Sequence, residues 1–401
     1  DAGRAEQRRS ELAVLFLKSF PGSTRAARVV LMQAAAGELG EDESLRILTE
    51  VPRDSPVYET SRRQASRILY GKVRAARGGG SAAERDFAAL RFIGISEELL
   101  AADRRAATDQ ASSERTAATE RLVVRARQML DALLGGSSPD AARAQGVLDV
   151  LNGVVAQNSV NLSEHRAELT FRQFQIALAR EQEPEAIRLA GTLVGLGSTA
   201  ETFAAAADRL IYKRIAARWK NSPQDDALSR EVVRIGNRVI DRLGKGETVL
   251  ADPAVAGLYA TVAAAATAIA ERQGTDDAGM MTLAIGLDKA LLRAQPRLAE
   301  PLRRLAGNAE ATKDGRTALE CWRTMLGAAK QGSVEWFEAR YHSLRLLAGI
   351  DAVKARELMR EHQLLYPDFG PAPWNDRLRE LDRQLAGSAS SVPTRSAGGA
   401  P

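Results

Sequence analysis

Cysteine and histidine are nearly absent: Cys321 stands alone among 401 residues, and His165, His342 and His362 are the only histidines. One thiol excludes an internal disulfide framework. It lies beside Trp322 at the edge of an apolar helix face, where it reads as a small hydrophobe in or near the core. The histidines are scattered. His342 and His362 would face each other across one hairpin, but no carboxylate or cysteine completes a ligand set, so no metal site is expected. Aromatic residues make up 5% of the chain, and β-branched runs are few and short, which argues against sheet. Lysine is scarce too, nine of the 56 basic residues. The arginines sit among acids, as in Glu6-Gln7-Arg8-Arg9-Ser10-Glu11 and Asp103-Arg104-Arg105, the pattern of solvated helix faces. The arginine, alanine and glycine bias has the look of a GC-rich bacterial genome.

Catalytic signatures are missing in the same way. Gly244-Lys245-Gly246-Glu247-Thr248 lacks the preceding strand, the glycine spacing and the Lys-Ser/Thr pair of a phosphate loop. Gly191, Gly195 and Gly197 follow a helix, not a strand, so no dinucleotide fingerprint forms. There is no Gly-x-Ser-x-Gly elbow. Asp225-Asp226 and Asp276-Asp277 read as first-turn charges that suit the helix dipole. The expectation is a chain with no catalytic residue, no cofactor and no metal. The net charge of +5 is mild. Arg62, Arg63 and Arg67 share one helix and Arg303-Arg304 another, but without a continuous basic stripe or stacking aromatics nucleic acid is not the favoured partner. Only one long uncharged run occurs, Pro253 to Ala270. Its content of mostly alanine, glycine and threonine reads as a buried helix, and no membrane span is expected. No signal peptide is visible. A first residue other than methionine fits a fragment or a processed product, and the compartment stays open between bacterial cytoplasm and periplasm.

What remains is helix. Alanine, the best helix former, is abundant. The periodicity predicts helices over 4–19, 24–39, 43–51 and 57–76, then largely helical structure over 82–134 and a helix over 140–157. Leu122, Val123, Ala126, Met129, Leu130 and Leu133 form the best apolar face. Ser81-Ala82-Ala83-Glu84 has capping-box spacing after the Gly78-Gly79-Gly80 breaker. From Asn161 the order is regular. Helix pairs are expected at 161–182 with 184–195, 198–220 with 224–243, 253–272 with 275–294, 296–312 with 315–330, and 333–349 with 351–365. Asn161 and Ser198 are read as N-terminal caps, and a last helix near 372–386 covers the exposed end. This divides the chain into helical blocks 1–77, 82–157 and 161–386, with a disordered tail at 387–401.

Residues 302–325 are the most informative stretch. Leu302, Leu305, Ala306 and Ala309 recur at helical spacing, Lys313-Asp314-Gly315 turns the chain, and Ala318, Trp322 and Met325 recur again. Two short amphipathic helices with small residues at their contact cannot bury an apolar face alone, so stacked neighbours are implied. Trp336 lies 34 residues after Leu302, and Ala355, Met359 and Pro367 fit a second helix with about three extra residues between helices. Leu31, Met32, Ala35, Leu48, Val51 and Pro56 repeat the pattern. These residues resemble the tetratricopeptide repeat family, although Met32 and Arg340 replace its small residue. The resemblance implies an all-α, right-handed solenoid of stacked antiparallel helical hairpins and a non-catalytic scaffold or adaptor that binds a protein or peptide. It places Arg303, Gly307 and Glu310, then Phe337, Tyr341 and Leu344, on a groove, with Arg345 at its edge. Phe337 and Tyr341 would form an aromatic anchor, or would pack on the next hairpin. The Lys and Asn set of the family's carboxylate clamp is not found. The alternatives are a helical regulatory region of a larger enzyme and a nucleic-acid-binding helical repeat.

Overall fold

The computed structural model describes residues 40–387, apart from 78–80, 110–113, 158–161, 244, 245, 247 and 274–277, and scattered positions before Gly40. The helices expected over 4–19 and 24–39 lie largely outside the described residues. So do the Gly78–Gly80 breaker, the Asn161 cap, Asp276-Asp277 and the tail beyond Gly387.

The chain is all-α, built of helical hairpins stacked in sequence order, and the described residues contain no strand. The helices are α1 (Glu41–Glu50), α2 (Tyr58–Arg77), α3 (Ala82–Thr108), α4 (Arg115–Leu134), α5 (Ala141–Gln157), α6 (Leu162–Ala179), α7 (Glu183–Gly195) and α8 (Glu201–Asn221). They continue as α9 (Asp226–Arg242), α10 (Pro253–Gln273), α11 (Ala278–Ala294), α12 (Ala299–Ala311), α13 (Gly315–Ala328), α14 (Val334–Ile350), α15 (Ala352–Leu365) and α16 (Trp374–Gly387). Two compact units result, Asp1–Ala207 and Asp208–Pro401, with the division inside α8. Each helix from α1 to α6 packs on the next, as does each from α9 to α15, and α4 also touches α6, α10 touches α12, and α14 touches α16. A stack of hairpins gives this pattern, because each first helix meets the first helix of the next pair.

Helix starts follow the local chemistry. The Ser81 hydroxyl accepts from the Glu84 backbone N–H, and the Glu84 carboxylate accepts from that of Ser81, which closes the capping box as read. Asp225, Asp314, Ser333 and Asp351 cap α9, α13, α14 and α15. Ser198 does not cap a long helix: it lies in a 3-10 turn, Gly197–Ala200, that precedes α8. Gly197, with φ of 73°, sets that turn's direction before the α-helix can begin.

The core of the first unit joins Phe92, Leu122, Met129, Leu130, Leu148 and Leu151, all at most 1% exposed. Among the described residues, the buried carboxylates are paired. Asp103 of α3 is fully buried and accepts from Arg63 of α2 and from Arg121 and Arg125 of α4. Burial works against its charge, but the three guanidinium groups together hold its carboxyl below the usual range. In the second unit Asp208 is held by Arg238 and Arg242, and Asp288 by Arg304. Helix α10 is long and apolar enough, by length and composition, to cross a membrane. Here it lies between α9 and α11, with Val262, Ala263, Ala266 and Ile269 fully buried.

Candidate protein-binding surfaces

The residues the resemblance placed on a groove lie on α12 and α14. Arg303 donates from Nε and Nη2 to Glu338, at 3.1 and 2.7 Å. Glu310 is the centre of a compact node: Trp322 Nε1 donates to it at 2.9 Å, Arg345 pairs with it, and His342 Nδ1 stands 3.5 Å away. The His342 ring stacks on Trp322, with centroids 4.2 Å apart and planes 11° from parallel. Burial opposes the Glu310 charge, but the donors from His342, Arg345 and Trp322 outweigh it and bring its pKa down to about 2. Tyr341 is half-buried against Trp374, with the Arg345 and Arg377 guanidinium groups about 6 Å from its ring centroid.

Phe337 and Leu344 are corrected: they are 2% and 1% exposed and belong to the core of the last hairpins. The cause is a one-residue register shift. Arg303 bonds Glu338 and Glu310 bonds Arg345 at a separation of 35 residues, and the buried positions advance by the same step, Leu302 to Phe337 and Ala309 to Leu344. A step of 34 rotates a residue by about 100° on its helix, enough to turn a core position into a groove position. The Phe337 ring lies against Gly370, where φ is 96° and a Cβ would fall 2.3 Å from Cε1. The Phe337–Tyr341 anchor therefore does not form, because one of its rings is enclosed.

The second helices advance differently. Ala318 and Trp322 are matched by Ala355 and Met359, all buried, which accommodates the longer connection. By the same step Met325 is matched by His362, fully buried among Trp336, Phe337, Tyr366 and Phe369. Burial, with the Arg340 guanidinium adding to it, pushes the His362 pKa down to about 4. His342 and His362 thus have separate surroundings. Cys321 is buried, and burial pushes its thiol up to about 11.

In the first unit a cleft of about 670 Å³ opens between α4 and α6, the first helices of successive pairs, over the carboxyl end of α5. Its floor is Val123, Val124, Val154 and Val155, and Thr119, Glu120, Arg127 and His165 surround it. Arg127 is fixed by Glu168, from Nη2 to Oε2 at 2.6 Å, and stands 3.4 Å from His165 Nδ1. Val124 is 51% exposed. The cleft therefore combines an apolar floor with a polar rim carried on helices. The sequence held one signal for it. Val124 is apolar yet falls outside the Leu122–Leu133 stripe, so it had no core to enter.

No family model matches this chain, and no curated protein does. A solved structure of Naa15/Naa10 bound to HypK-THB is similar at 13% identity, with a TM-score of 0.22, over 97% of this chain. The chain spans 66% of that structure's chain.

Proposed function

We propose that the protein is a non-catalytic scaffold of tetratricopeptide-like hairpins that binds a segment of another protein in the cleft between α4 and α6. The observation that carries this reading is the apolar floor of that cleft, left open between two first helices where a peptide would lie along the stack. The charge chemistry of the second unit supports a structural role there. Arg303, Glu310 and Arg345 are turned to partners on the neighbouring hairpin, and Cys321 and His362 are enclosed, with the thiol held protonated and the imidazole neutral. A photo-crosslinking amino acid at Val124, in the full chain expressed in its native host, tests the proposal. A discrete polypeptide adduct is expected from Val124 and not from the same group at the exposed Val353 of α15. No adduct, or the same adducts from both positions, would refute it.

A further inference from the structure

The solvent face of α3 is unusually apolar at one end. Phe87 and Leu90 are each 64% exposed. The face continues through Arg91, Gly94, Glu97, Ala101 and Arg104, all exposed and spaced every three or four residues. This is one stripe along a rod of roughly 40 Å.

The stripe is complementary to itself. When α3 is laid antiparallel on a second α3 with Gly94 at the crossing, Arg91 meets Glu97, Phe87 meets Ala101, and Glu84 meets Arg104. The members of these pairs stand three, seven and ten residues to either side of Gly94. Opposite charges oppose one another twice, and the one large ring opposes the smallest side chain of the stripe. We propose that this face is the interface of a two-fold homodimer, with α3 of each copy packed antiparallel on α3 of the other.

The surroundings of α3 fit a second copy. Ala101 borders a cleft of about 530 Å³ floored by Leu100, Met129, Val147 and Val150, which gives Phe87 of the second copy a pocket to enter. A Cβ at Gly94 would meet nothing within 4 Å in its own chain. Other surface glycines share that freedom; Gly94 combines it with two oppositely charged pairs and an exposed Phe87 on the same stripe, and a missing side chain there lets two backbones approach. Arg91 and Arg104 have no ion pair among the described residues, and Glu97 has only Arg143 at 3.7 Å. Leu90 falls opposite Glu98, whose carboxylate already accepts from Arg53 and Tyr58. Antiparallel helices also set their dipoles head to tail. A two-helix contact is smaller than the standard ~800 Å² per partner, so the expected dissociation constant is micromolar.

Sedimentation equilibrium of the full chain tests the interface, with circular dichroism to verify folding. The wild type is expected to pass from monomer to dimer as concentration rises through the micromolar range. Arg91→Glu alone and Glu97→Arg alone each place like charges at both inner pairs and should weaken self-association at least about tenfold. An equimolar mixture of these two variants restores both pairs and should form a heterodimer of near wild-type strength. Gly94→Leu, which has room in its own chain, should remain folded and monomeric. A wild type that stays monomeric to 200 µM (on the order of a hundredfold above a typical micromolar constant), single variants that dimerise normally, or a mixture that stays monomeric would each overturn the proposal.

Discussion

Replacing Trp322 should open one part of the stack and leave the rest closed. Its indole is 3% exposed within the core formed by Leu302, Leu305, Ala306, Met325 and Ala339. Its Nε1 donates to Glu310 of α12, and His342 of α14 stacks on its face. One side chain on α13 therefore ties two hairpins together. Trp322→Ala removes a large buried ring and should cost about 3–5 kcal/mol. Trp322→Phe keeps most of the apolar contact and removes the donor to a carboxylate. That loss is about 1.5 kcal/mol, the low end for a charged acceptor, because Glu310 retains Arg345 and some solvent. Because a repeat array opens locally, native-state hydrogen exchange is the appropriate assay. Amides of 299–350 should lose ~10²–10⁴-fold protection in Trp322→Ala and roughly tenfold in Trp322→Phe. Amides of α3 and α4 should be unchanged. Unaltered protection in 299–350, or an equal loss across α3 and α4, would refute the assignment of Trp322 as a local tie between hairpins.

Acid should loosen the last hairpins first. With a folded pKa of about 4, His362 contributes stability that is complete above the ordinary value near 6.5 and is lost as pH falls from there towards 4, by up to about 3 kcal/mol. Urea titrations at pH 7 and pH 5 should show the loss, and His362→Met, the residue at the matching position of the previous hairpin, should abolish the difference. Glu310, folded at about 2, adds a second loss as pH falls from about 4.5 towards 2, so Glu310→Gln should flatten unfolding curves in that window only. Asp103→Ala leaves three guanidinium groups without their shared acceptor, one of them nearly buried, and should cost about 3–5 kcal/mol in the first unit by urea unfolding. Cys321 should react with a thiol reagent only upon unfolding, since burial keeps it protonated; fast labelling of the folded chain would contradict its enclosure.

The helices were largely legible because their signals are local. Ser81-x-x-Glu84, Asp314, Ser333 and Asp351 begin helices through bonds within one turn, and apolar spacing carries the rest. Ser198 failed because a cap residue is equally suited to a turn, and the positive φ of Gly197 decided between them. The groove was not legible, since it depends on a register between hairpins that no local rule fixes. Family spacing aligned Leu302 with Trp336, whereas the ion pairs of Arg303 and Glu310 align it with Phe337. The error of one residue moved Phe337 and Leu344 from core to surface, yet left Arg303, Glu310 and Arg345 partly exposed, because long charged side chains reach solvent from either side of a narrow stripe.

That difference bears on where such a chain can bind. In α12 and α14 the partly exposed charges are matched across a fixed step of 35 residues, Arg303 with Glu338 and Glu310 with Arg345. A partner arriving there would have to displace bonds that hold adjacent hairpins, and would leave Glu310 facing the Trp322 indole without its cation. In the first unit the charge that must be internal is gathered on Asp103, below the surface. Val124 on the α4–α6 cleft and Phe87 and Leu90 on the outer stripe of α3 remain exposed. Binding energy is available where exposed apolar area lies beside unspent hydrogen-bonding capacity. Exposed Val124 lies beside polar groups at the cleft, and exposed Phe87 lies beside Arg91 on α3. On α3 and α4, the proposed recognition surfaces and the Asp103 ion network therefore use different faces of the same helices.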